Sequence, residues 1–171
     1  HGGIVMARPF STTDAKRVIS QHQNIIEKLN RAVSSVEKYR INVKEASDAL
    51  VTQEVLRVLA DIPVEEINRD KRGIRVKSLR DYGYRTIADI STASIYSIAS
   101  IHGISEDTAY SIKRIVNDIV SKARQGVKLR ISTDNRSREA TALVLALSQY
   151  RRSQKVADEC RQLLNKNKQI I

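Results

Sequence analysis

The feature that most limits what this chain can become is a long seam of positions spaced alternately four and three apart. Val18, His22, Ile25, Leu29, Ala32, Val36, Tyr39, Val43, Ala46 and Leu50 follow one another in this rhythm for more than four heptads. A 3.5-residue period keeps one face of a helix apolar over its whole length and excludes a strand, whose faces alternate every second residue. Ser11, Thr12, Thr13 and Asp14 precede it and supply N-cap candidates. Two packings suit such a helix: a dimeric coiled coil, or a bundle or helical hairpin within one chain. Ile19, Ile26 and Val33 widen the stripe beyond a two-position seam, and its flanks lack the alternating charges that specify a two-stranded partner. The bundle or hairpin is the preferred reading. A second apolar run, Val51, Val55, Leu56, Val58, Leu59 and Ile62, meets Pro63, which ends or bends the helix.

The remainder is equally suited to helices. Six glycines and two prolines in 171 residues leave long stretches unbroken, and with 4% aromatics any core must come from Ile, Val, Leu and Ala. The expected fold class is all-α: long helices packed as a bundle or helical hairpin, with a compact domain inserted. Residues 1–10 read as a tag remnant (His1-Gly2-Gly3) and tail, and 11–62 as the long amphipathic region. Residues 63–73 read as a polar linker, 74–126 as the inserted domain, and 127–171 as a basic linker with a C-terminal helix. Val127-Lys128-Leu129-Arg130-Ile131 alternates like a strand but has nothing to pair with, so an extended linker or continuing helix is expected. Ser132, Thr133, Asp134 and Asn135 form a turn and cap cluster. Beyond it Ala140, Leu143, Val144, Leu147, Tyr150, Ala157, Cys160 and Leu164 recur at helical spacing. The final helix is expected to pack on the first. The Lys/Asn-rich ending at Ile171, without a C-cap, reads as the edge of a piece of a larger protein.

One cysteine, Cys160, rules out a disulfide framework or a cysteine-rich zinc site and suggests a reducing, cytoplasmic compartment. His22 and His102 are too far apart to suggest a metal cage, and His22, at a seam position, reads as a packed polar residue. No apolar run is long enough to cross a membrane, and no export signal is evident. Charge distribution says more. Residues 1–68 carry nine Lys/Arg and nine Asp/Glu, whereas 69–171 carry 21 and ten, the whole net charge of +11. A neutral half joined to a basic half suggests assembly by one and polyanion binding by the other, nucleic acid being the first candidate.

The middle segment carries the sharpest motif. It reads Leu79-Arg80-Asp81-Tyr82-Gly83-Tyr84-Arg85-Thr86-Ile87, with Ile90, and later Ile101-His102-Gly103-Ile104-Ser105, with Ala109 and Ile112. The second half resembles the helix-hairpin-helix family, and the first half looks like the degenerate partner of a tandem pair. Such pairs occur in the Holliday-junction protein RuvA and, in related form, in the C-terminal domain of the RNA polymerase alpha subunit. The resemblance covers about 55 residues of this sequence. It implies DNA binding without sequence reading, through backbone N–H groups around Gly103 and Ser105. Glycine permits positive φ and close approach to a phosphate; Ser105 suits the N-cap of the following helix; Ala109 lets two helices close. Lys113 and Arg114 would reach flanking phosphates, and His102 lies in the hairpin. Here the family's second hairpin glycine is Ser105, and Glu106 and Asp107 occupy the first helical turn, where they repel phosphate.

Basic residues flank the motif. Arg69, Lys71, Arg72, Arg75, Lys77, Arg80 and Arg85 face only Asp70 and Asp81, and Lys122, Arg124, Lys128, Arg130, Arg136 and Arg138 form a second cluster. About half of such residues ordinarily do no more than solvate a face. Tyr82, Tyr84, Tyr96 and Tyr110 offer rings for base stacking, although burial with the hydroxyl outward is the expected state. No phosphate-binding loop with a following Lys, and no spaced carboxylate cluster, suggests catalysis, a cofactor, a metal or a small-molecule substrate. Two functions remain. One is a non-enzymatic DNA-binding module, for duplex or branched DNA, serving a helicase or repair factor. The other is a protein-interaction or oligomerisation module, a homo-oligomer through the long helix or a receptor for an acidic partner.

Overall fold

The computed structural model describes residues 11–168 and is all-α. Six helices occur among them: α1 (Thr12–Ala60), α2 (Val76–Tyr82), α3 (Ile87–Thr92), α4 (Ile95–Ala99), α5 (Glu106–Gly126) and α6 (Arg138–Lys168), with a 3₁₀ turn at Val64–Asn68. The segment 127–131 is extended and unpaired, one of the two outcomes its lone alternation allowed. The reading of residues 1–10 as a tag remnant lies outside the described residues.

Local chemistry sets the helix ends. Ser11 Oγ accepts from Asp14 N–H at 3.1 Å while its own N–H donates to Asp14 Oδ2, so the first turn of α1 is closed reciprocally. At the other end of α1, Asp61 and Ile62 make two tightened backbone hydrogen bonds before Pro63 stops the helix. α6 begins later than the turn cluster at 132–135: Ser137 Oγ accepts from Ala140 N–H at 3.1 Å.

The chain forms two compact units. Residues 45–143 hold an apolar core of Val55, Leu59, Val64, Ile67, Leu79, Ile87, Ile90, Ile98, Ile101, Ile104, Ala109, Ile112, Ile115 and Val116. Val64 and Ile67 are fully buried there, so 63–73 is part of the domain and not a linker, and the domain does not begin at 74. A 3₁₀ turn hides its Val and Ile on one side while Glu65 stays in water, which is why the stretch reads as polar in sequence. The start of α6 joins this unit, with Gln53 Nε2 donating to Glu139 Oε2 at 2.9 Å.

The other unit, residues 1–44 and 144–171, packs α1 against α6. Ala146, Ser153, Ala157 and Cys160 form the buried line of α6, and no α1 residue from 12 to 44 is buried to the same degree. Val144 and Leu147, expected on the packed face, are exposed. The buried line of α6 is thus made of small side chains, with Ala146 and Ser153 on it where hydrophobicity alone assigned their larger neighbours. His22 is exposed, beside Ile26 and Leu164, not packed as expected, whereas Cys160 is buried, as its apolar neighbours indicated.

Candidate nucleic-acid interface

Two helix–turn–helix hairpins lie in the 45–143 unit, and their backbones are used differently. The first follows α2. Gly83 takes φ 111° and ends the helix, with its N–H donating to Arg80 O and that of Tyr84 to Leu79 O, both at 3.0 Å. Its remaining donors are consumed. Arg85 N–H and Thr86 N–H both donate to Asp89 Oδ2, at 2.9 and 2.8 Å, and Ile87 N–H donates to Ile62 O at 2.9 Å. Burial raises the pKa of Asp89, but the hydrogen bonds from Thr86 and Arg85 outweigh it, and the carboxyl lies below its ordinary value of 3.8.

The second hairpin joins α4 to α5. Ile101 and Ile104 anchor it in the core, and Gly103 between them takes φ 85°. Ser105 caps α5, accepting from Thr108 N–H at 3.2 Å, and Ala109 is fully buried where the helices close. Among the described residues the backbone N–H groups of Gly103 and Ser105 have no acceptor. This turn therefore presents open donors at the positive end of a 21-residue helix, which the first hairpin does not.

The cations divide into several groups. Arg75 lies against the second turn: a Cβ placed on Gly103 would stand 3.0 Å from Arg75 Nη1. Arg72 and Arg114 line one cleft of about 290 Å³ with Gly73, Ile74, Asp107, Thr108 and Ser111. Arg72 also pairs with Asp70 at 2.8 Å, an exposed contact that weighs little against a polyanion. Lys77 and Arg85 stand exposed on α2 and the first hairpin, with no ion pair among the described residues, and His102 is exposed in the second turn. Arg80 is engaged by Glu65.

Lys113 departs from the role expected of it. Its Nζ donates to the carbonyls of Ile90, Ser91 and Ala93 at 3.2, 3.0 and 2.8 Å, closing the C-terminal end of α3. Burial pushes its pKa below the ordinary lysine value. An ammonium with all three donors spent on backbone oxygens is a structural clamp and not a phosphate ligand. The spacing that placed it one residue from Arg114 carries no sign of this, because the carbonyls come from a different helix.

The tyrosines also differ from expectation. Of the four in this segment, Tyr82 is 56% exposed, Tyr96 82% and Tyr110 53%, and Tyr84 alone is half-buried. The charge follows the units and not the cut at residue 69. Residues 45–143 hold 16 Lys/Arg and 14 Asp/Glu, a net of +2, and the helix-pair unit holds 14 and five, a net of +9. Within the smaller figure there is polarity: 69–143 is +7 and 45–68 is −5.

Among the described residues no cluster of three metal-ligating side chains occurs, and no helix is long and apolar enough to cross a membrane. Comparison of the chain with models of protein families, with curated proteins and with solved structures finds no match.

Proposed function

We propose that the 45–143 unit is a module that binds nucleic acid through its phosphates without reading sequence. The observation that carries this is the second hairpin: open N–H donors at Gly103 and Ser105, the N-terminus of α5, and Arg75 set against the same turn. Phosphate needs a close backbone, donors and a cation together, and the Cβ-less glycine lets Arg75 lie against the turn. Arg72 and Arg114 extend the positive surface along the adjoining cleft, and the resemblance to tandem helix-hairpin-helix domains agrees with this reading. In that reading the module serves duplex or branched DNA as an accessory part of a helicase, repair or other DNA-processing protein. The test is an anisotropy titration with random-sequence duplex over a salt series. Four to six phosphate contacts give a slope of log K against log salt of about −4 to −5. Arg75→Ala and Arg114→Ala each weaken binding, and a slope near zero removes the proposal.

A second reading concerns the helix pair. Val18, Ile19, Ile25, Ile41, Val144 and Leu145 are exposed there, beside a net charge of +9. An apolar surface of this extent on a basic body suits self-association or an acidic protein partner. Sedimentation of the full chain and of Leu145→Glu distinguishes it: a monomer at every concentration, with no acidic partner bound, counts against this reading.

A further inference from the structure

Tyr82 closes α2, directly before the glycine that ends the helix. Its ring leans on that of Tyr84, with centroids 5.4 Å apart and planes at 41°, and Tyr84 is half-buried. One side of the Tyr82 ring is thus supported, and more than half of the residue remains open to solvent. The two backbone hydrogen bonds at Gly83 and Tyr84 fix the corner between the rings. An exposed aromatic held this firmly forgoes burial that an Ile or Leu core would readily give it.

Arg75 and Tyr82 are seven residues apart, close to two helical turns. Arg75 is the N-cap, outside the helix at φ −76° and ψ 75°, and Tyr82 is the last helical residue, so the two mark the ends of α2, about 10 Å apart along its axis. Arg75 is the residue that reaches the Gly103 turn. A cation beside open backbone donors and an exposed ring thus mark the two ends of a strip along this short helix. Lys77 and Arg85 add positive charge near this strip, and Asp81 opposes them.

We infer that this strip holds a nucleic-acid strand containing an unpaired base, which stacks on Tyr82 while the backbone passes Arg75. The inference rests on the nucleic-acid reading above and narrows its substrate class. Bases inside a blunt duplex already have both π-faces covered, whereas single-stranded, frayed or branched sites offer a free one.

The chain has six tyrosines and no tryptophan, so its own emission reports stacking directly. The full chain is titrated with a short oligothymidine and with a blunt random-sequence duplex. Oligothymidine quenches tyrosine emission in the wild type. Tyr82→Ala weakens oligothymidine binding about 10-fold and leaves duplex binding unchanged, and Tyr82→Phe, which keeps the ring, binds both as the wild type does. Circular dichroism confirms that each variant is folded. Salt-dependent binding with no effect of Tyr82→Ala, or with an equal loss on both probes, overturns the stacking and leaves phosphate binding intact. No salt-dependent binding of either probe removes the underlying reading as well.

Discussion

Lys113 and Asp89 illustrate how single side chains can be spent on structure within a surface otherwise suited to a ligand. The Lys113 ammonium satisfies three carbonyls at the end of α3. Lys113→Met strands them and should lower stability by about 1–3 kcal/mol. Folded Lys113→Met should nevertheless bind duplex as the wild type does, unlike Arg114→Ala, and anisotropy titration of the two variants checks the distinction. Asp89 makes the opposite kind of commitment, accepting two backbone N–H groups of the first hairpin. Its pKa in the folded chain is below the ordinary 3.8, so its contribution is full above that value and is lost as pH falls through the lower, folded one. The urea midpoint of the wild type should fall over this acid range, and Asp89→Asn should show a shallower decline. Equal slopes would mean that the carboxylate does not hold the hairpin. The role of Lys113 was not legible in the sequence, because its partners lie more than 19 residues away. That of Asp89 is local: Thr86 and Asp89 have capping-box spacing, a signal the sequence reading passed over.

The helices themselves were legible where their signals are local. Ser11 starts α1 and Pro63 stops it, and Gly83 and Gly103 stand at positive φ in the two turns. Gly103→Ala meets only the mobile end of Arg75, so its cost is conformational, about 1–2 kcal/mol, readable as a lower thermal midpoint. Loss of duplex affinity beyond that expected from unfolding would be the signature of an Arg75 displaced from the turn. The buried face of α6 was legible only in part. Hydrophobic periodicity selects Ala157 and Cys160, which are buried, together with Val144 and Leu147, which are exposed, and it passes over Ala146 and Ser153, which lie on the buried line. Ala157 is fully buried on this line. Ala157→Leu should therefore destabilise the helix pair by about 1–3 kcal/mol, although it lowers helix propensity only slightly and raises hydrophobicity much. A stabilised Ala157→Leu protein would mean that the helices are not in close contact.

At the scale of the molecule, cutting the sequence by charge and cutting the structure by contacts give different pieces. The acidic stretch 45–68 belongs with the hairpins, because Val55, Leu59, Val64 and Ile67 are core residues for them. A fragment of residues 45–143 should fold cooperatively on its own. One of residues 69–126 should not, since it lacks those four side chains, and circular dichroism with thermal melting separates the two outcomes. Sequence alone began the domain at residue 74 because apolar residues within a charged 3₁₀ turn have no periodicity by which to be recognised. The small-residue line of α6 has a further consequence, in the order of events when the protein breathes. Four modest side chains are all that is buried in the described helix-pair unit, against more than a dozen mostly large aliphatic ones around the hairpins. Free energy of opening follows buried apolar area, so backbone amides of 12–44 and 144–168 should exchange with deuterium well before those of Ile87 to Val116. Thermal fluctuation would then release residues 12–44 and 144–168 first, leaving the turns around Gly83 and Gly103 closed.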